Sequence, residues 1–142
     1  MCARACYMDL GGDGIKVAAQ LFKKAAWVFN HLITVSTQLP PGTHSIDFNK
    51  ETLTMNRELS LAQAQYLFYK KASEAGMAPN VLSKIAAQTA IYFESAHKEC
   101  TVNNTLRGYN KGHNANVLGY HSRYFQAMAL WHLGKGKYDQ AD

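Results

Sequence analysis

Cys100 and His97 lie three residues apart in a stretch with helical patterning, close enough on one face for an imidazole to activate a thiol. No other pair in the chain reads as nucleophilic machinery. The remaining histidines, His31, His44, His113, His121 and His132, fall into no HExxH or related metal spacing. GxGxxG, P-loop and GxSxG patterns are absent. Asp47, Glu51 and Glu58 read as surface carboxylates. Cys2 and Cys6 would share a helical face, but two further ligands are not in evidence nearby, so they read as small buried thiols rather than a metal site. The expectation is therefore a protein that is not an enzyme, with no catalytic residues, metal or cofactor, working through a surface.

Composition narrows the kind of surface. The chain has 142 residues, enough for one domain or part of one, and 47% of them are hydrophobic. Three prolines and abundant alanine point to an all-α fold. Three cysteines, an odd number, fit a reduced compartment. Charged or polar residues interrupt every apolar run before membrane-spanning length, and Met1–Cys6 opens without an apolar signal core. A cytoplasmic protein is expected. The net charge of +5 favours acidic surfaces, an acidic membrane surface among them. The lysines are scattered and there is no arginine-rich run, so no nucleic-acid partner is expected, and no small-molecule substrate either. Asn103-Asn104-Thr105 matches a glycosylation acceptor, an accidental match in a protein that is not secreted.

The elements follow from apolar spacing and punctuation. Residues 1–10 read as the tail of a helix ended by Gly11-Gly12. Asp13 can cap the next helix, Gly14 to Leu39, whose stripe runs through Ile15, Ala18, Ala19, Phe22, Ala25, Ala26, Phe29, Leu32 and Ile33. Pro40-Pro41-Gly42 stops it, and Thr43 to Phe48 is a loop pinned by Ile46 and Phe48. A third helix starts between Asn49 and Thr54 and runs to Ala75, with small or apolar residues on more than one side, as in a helix wedged between neighbours. Gly76 suits a left-handed cap and Pro79 the start of the fourth helix, Asn80 to Cys100. That helix carries an inward stripe of Leu82, Ala86, Ala90, Phe93 and Ala96. A loop from Thr101 to Gly108 precedes a long helix from Lys111 to Leu133. Its aromatic face is Val117, Tyr120, Tyr124, Met128 and Trp131, extended by Ala127 and Leu130. Gly134-Lys135-Gly136 reads as a break, with Lys137 opening another helix. Stacked helical hairpins, tetratricopeptide-like but without a strict 34-residue repeat, are the expected architecture. The abrupt start and finish suggest truncation at both ends.

The binding candidates are apolar residues beyond the inward stripe. Val81 and Ile85 form a second row on the fourth helix, and Phe68 and Met77 precede them across the turn. Lys16, Lys71 and Lys84 can rim such a groove with positive charge, which suits an amphipathic helix with an acidic edge. Pattern alone leaves open the alternative that Val81 and Ile85 touch a neighbouring helix.

The Leu61-Ala62-Gln63-Ala64-Gln65 run, with Phe68, Lys71-Ala72, Met77 and Ser83-Lys84-Ile85-Ala86-Ala87-Gln88 after it, closely resembles the BRO1 domain family of ESCRT-associated adaptors. Gly14-Ile15-Lys16-Val17-Ala18-Ala19 resembles the opening of a helix in that family, and the likeness covers nearly the whole chain. It implies that residues 1–142 are the central, tetratricopeptide-like part of a longer BRO1 domain. It also implies a scaffold recruited to endosomes, whose apolar patch binds the C-terminal amphipathic helix of Snf7/CHMP4-type ESCRT-III subunits. The partner-binding positions then fall on Lys16, Phe68, Lys71, Met77, Val81 and Ile85. Val81 is smaller than the isoleucine usual there, Ile85 replaces a leucine, Gln20 stands where a second lysine is common, and Pro79 is a further local difference. A BRO1-type scaffold in Rho-effector (rhophilin-like) or ambient-pH signalling, or a basic membrane-surface module, are the alternative readings.

Overall fold

The computed structural model describes residues 12–40, 42, 45–102 and 113–140. The helical tail expected at residues 1–10, the Cys2–Cys6 face, part of the loop at 43–48, the loop at 103–108 and the helix start at Lys111 lie outside these. Among the described residues there are four long helices, joined in part by a short 3-10 turn, and no strand.

Helix α1 spans Gly12–Ser36, so Asp13 sits inside its first turn, paired with Lys16 at 3.7 Å, rather than preceding it as a cap. It ends three residues before the expected Leu39. Ser36 Oγ donates to Ile33 O (2.9 Å) and Thr37 Oγ1 to Thr34 O (2.8 Å), hydroxyl bonds that compete with the helical ladder.

The 3-10 turn Ile46–Phe48 leads into α2, Lys50–Glu74. Asn49 caps α2 by accepting from Thr52 N at 2.9 Å, while Thr52 Oγ1 donates to Ile46 O at 2.7 Å and ties the turn to the helix. At the other end Met77 N donates to Ala72 O and Gly76 N to Ser73 O, both at 3.1 Å, the paired bonds of a Schellman closure. That closure needs the left-handed φ of +64° at Gly76. A Cβ there would meet no atom within 4 Å, so Gly76→Ala pays only the backbone term. The expected loss is about 1 kcal/mol of stability, read from a urea midpoint.

Pro79 occupies the first turn of α3, Pro79–Val102, where its missing N–H is no loss. The helix carries two residues beyond the expected Cys100. Helix α4, His113–Tyr138, corrects the sequence reading most clearly: it runs unbroken through Gly134-Lys135-Gly136, and no new helix starts at Lys137. The cause is close packing. A Cβ on Gly136 would lie 2.5 Å from Asn80 Oδ1 and 3.4 Å from Pro79 Cβ. The glycine lets the end of α4 pass against the start of α3.

Each helix packs mainly on its neighbour in sequence. The principal core lies among α2, α3 and α4, with Met55, Ala62, Tyr69 and Ala72 meeting Leu82, Ala86, Phe93 and Ala96, and with Leu118, Phe125 and Ala129 closing it. Phe125, 1% exposed, is its centre: Tyr66 and Tyr69 meet the ring edge-on and Phe93 stacks on it at 5.9 Å. The whole expected inward stripe of α3 is buried. Ser83 Oγ donates to Ala129 O at 2.8 Å, a bond that small residues at this crossing permit. The aromatic face of α4 falls the other way: Tyr120, Tyr124, Leu130 and Trp131 are exposed. Leu118, Phe125 and Ala129 turn inward instead. A smaller cluster of Ile15, Ala18 and Leu67, with Ala19 and Phe22 against it, fixes α1 to α2.

Glu58 is not a surface carboxylate. It is buried and accepts from Arg57 Nε (2.9 Å) and Nη2 (2.7 Å), while Arg57 Nη1 reaches Asn30 Oδ1 on α1 at 3.1 Å. The group crosses the α1–α2 seam.

Candidate partner-binding surface

The α2–α3 hairpin presents three of the six expected binding residues as exposed apolar side chains: Phe68 (51% exposed), Met77 (44%) and Val81 (43%). Helical phase places two of them: Leu67 and Tyr69 are buried on either side of Phe68, and Leu82 is buried next to Val81, so Phe68 and Val81 each sit one step round from the core stripe. Met77 lies in the turn between the helices, its N–H bonded to Ala72 O. The Schellman turn brings the end of α2 beside the start of α3, with Ala72 and Leu82 in one core. Lys71 stands one turn after Phe68, and Lys84 is exposed one turn after Val81. Lys16 is exposed and follows Ile15, which packs with Leu67, the residue before Phe68.

Ile85 departs from expectation. It is only 8% exposed and belongs to the principal core, so it is not an apolar residue left outside. Tertiary packing separates the two positions that spacing left open: Val81 faces out, and Ile85, one turn on, is in the core.

Beside Met77 the surface dips into a cleft of about 360 Å³ lined by Met77, Pro79, Leu82, Trp131, His132 and Lys135, among others. His132, 5% exposed, is the buried histidine that sequence reading did not single out; only its four-residue spacing from Met128 and three from Ala129 hinted at an inward position. One ring nitrogen, Nε2, lies 2.9 Å from Tyr69 Oη, and Nδ1 is buried without a partner. Burial, and then the Lys135 ammonium, hold the imidazole below its ordinary value of 6.5. With the folded value depressed, the unfolded chain takes up the proton first as pH falls. This contribution to stability is complete above about 6.5 and is lost as pH drops through the folded value. The urea midpoint should therefore fall on acidification below about pH 6.5, and His132→Gln should flatten that fall.

The possible catalytic pair does not assemble. Cys100 is buried, its Sγ donating to Met55 Sδ at 3.0 Å, and burial, reinforced by Glu99, pushes the thiol up, away from a reactive thiolate. His97 turns its Nδ1 to Ala115 O (2.8 Å) and lies against Gly119. No cluster of three metal-ligating side chains occurs among the described residues. No helix of the described residues is long and apolar enough to cross a membrane.

Comparison with known proteins gives this helical stack, with its partly apolar outer face, a family. The model of the BRO1-like domain matches residues 4–142, and the chain belongs to that family. Among its relatives, ALG-2 interacting protein X of Dictyostelium discoideum is 33% identical over 126 residues, which is 87% of this chain and 16% of that protein. The vacuolar-sorting protein BRO1 of Arabidopsis thaliana is 27% identical across 92% of the chain, again 16% of that protein. The solved ALIX BRO1 CHMP4C complex matches with a TM-score of 0.80 at 28% identity, over 91% of this chain and 35% of that one. The chain thus spans about a sixth of the length of the two curated relatives and about a third of the solved chain.

Proposed function

We propose that this chain is a non-catalytic adaptor surface that captures the C-terminal amphipathic helix of a Snf7/CHMP4-type ESCRT-III subunit, as part of endosomal sorting in the cytoplasm. The observation that carries the reading is the exposed Phe68–Met77–Val81 face beside Lys16, Lys71 and Lys84 on a fold similar to the ALIX BRO1 CHMP4C complex. An amphipathic helix would set its apolar side on the three exposed residues and its acidic edge toward the lysines. Three anchors at about 1.5–3 kcal/mol each, less the cost of ordering the peptide, correspond to roughly micromolar affinity. Such a surface couples a membrane-remodelling polymer to whatever else the adaptor carries, and residues 1–142 act in it as part of a longer BRO1 domain.

The test is a fluorescence titration of a labelled ESCRT-III C-terminal helix into the chain, with helicity followed by circular dichroism. Saturable binding in the micromolar range is expected. A folded chain that shows no saturation would overturn the reading.

A further inference from the structure

The cleft beside Met77 borders a polar group that the fold itself leaves unused. His132 lines it, together with Met77, Trp131, Lys135 and Asp139. The Tyr69 hydroxyl is buried, and among the described residues its one hydrogen-bond partner is Nε2 of His132. The contact allows two tautomers. With the proton on Nε2, the Tyr69 O–H lacks an acceptor and Nδ1 lacks a donor, so two buried groups are orphaned. With Tyr69 donating to Nε2, the proton sits on Nδ1 and one group is left over. The second arrangement costs less, so His132 borders the cleft as a neutral ring with an unused Nδ1–H. The cleft walls include the exposed side chains of Met77 and Trp131. The Lys135 ammonium lies 5.7 Å from the centroid of the Trp131 ring, which holds it at the rim. Asp139 stands one turn further along α4, yet the two form no ion pair among the described residues. A donor at the base, a cation at the rim and apolar walls fit a carboxylate on a short aliphatic stem.

We infer that this cleft takes one carboxylate from the acidic edge of the amphipathic helix captured on Phe68, Met77 and Val81, bonded to His132 Nδ1–H and paired with Lys135. The assignment rests on that capture and adds to it a fixed point. Met77 belongs to both the exposed face and the cleft, so the two are continuous. Apolar contact alone lets a helix slide by a turn; a hydrogen bond from a buried donor to a charged acceptor is directional and sets one register. Asp139 repels an incoming carboxylate, so the two charges at the rim act in opposite senses on this occupant.

The experiment titrates the labelled ESCRT-III C-terminal helix peptide into the chain and three variants, with long-range proton–nitrogen NMR of the histidine rings alongside. Lys135→Gln should weaken binding about 3-fold and Asp139→Asn strengthen it about 2-fold, the scale of exposed charge pairs. Lys137→Gln, a neighbouring lysine that does not line the cleft, should leave affinity unchanged. All three positions are exposed, so the variants keep their fold, checked by circular dichroism. The Nδ1–H proton of His132 should move downfield as the peptide saturates. Replacing the peptide's acidic residues by amides one at a time should identify one position whose loss removes the Lys135→Gln effect. Binding by the wild type with an unmoved His132 ring would overturn the cleft assignment and leave the capture standing. So would an equal loss in Lys135→Gln and Lys137→Gln, or weaker binding in Asp139→Asn, which marks a cationic occupant. No binding by the folded wild type would overturn both.

Discussion

Val81→Asp is expected to abolish capture of the amphipathic helix while leaving the helical stack intact, and Ile85→Asp to unfold it. The two positions are one turn apart on the same helix, yet one is 43% exposed and the other 8%. A carboxylate at position 81 keeps water in the unliganded chain, so the fold pays little. In a complex it would be covered by apolar surface without a partner, a cost of several kcal/mol that takes micromolar binding beyond detection. At position 85 the same carboxylate would sit in the core with Ala72, Leu82 and Ala86. Desolvation there belongs to folding itself, at about 4 kcal/mol or more, against a total of roughly 5–15. Titration and thermal melting on both variants check this. A folded Val81→Asp chain that binds normally would remove the groove, and a folded Ile85→Asp chain would remove the packing argument.

Phe125→Ala is expected to be the most damaging truncation in the molecule. The ring is 1% exposed and touches aromatic side chains from α2 and α3 as well as Tyr124 of its own helix. Removing it takes away the apolar transfer energy, the edge and stacking contacts, and leaves a cavity that three helices must collapse around. The expected loss is about 3–5 kcal/mol, read as a large drop in the urea midpoint. Tyr120→Ala, on the exposed face of the same helix, should change stability by less than about 0.5 kcal/mol.

The contrast between Phe125 and Tyr120 also shows where sequence stops being sufficient. Asn49, Gly76 and Pro79 mark helix ends by local chemistry, a side-chain cap, a left-handed φ and a missing N–H, so the hairpin was legible residue by residue. On α4 apolar residues occupy most of the circumference, and Tyr120, Tyr124 and Trp131 outvote Leu118 and Phe125 in any count of spacing. Only contact with α2 and α3 chooses the phase. The glycines at 134 and 136 carry a helix penalty of about 1 kcal/mol each, and read alone they end the helix. Docking against Asn80 and Pro79 is a tertiary fact that no local rule contains. At the candidate surface, the residue types and the hairpin position were legible through the LAQAQ run and its sequel. The burial of Ile85 was not, because a second row one residue round a helix can face either way. Glu58 is a similar case: a carboxylate beside Arg57 reads as solvated until Asn30 of another helix joins the pair.

The seam between α1 and α2 has a further consequence. Among the described residues the principal core contains no residue of α1; that helix packs along α2, through the cluster around Ile15, Ala18 and Leu67 and the Arg57–Asn30 contact. Lifting α1 away opens the interface with α2 alone and leaves the principal core closed, so it exposes less apolar surface than global unfolding. The molecule is a three-helix platform with an arm docked along one of its helices. Because Lys16 rides on the arm while Phe68, Met77 and Val81 stay on the platform, the two parts form one surface only when the arm is closed. Any helix that bridged them would act as a clasp, and the amides of α1 would exchange their protons more slowly with it in place.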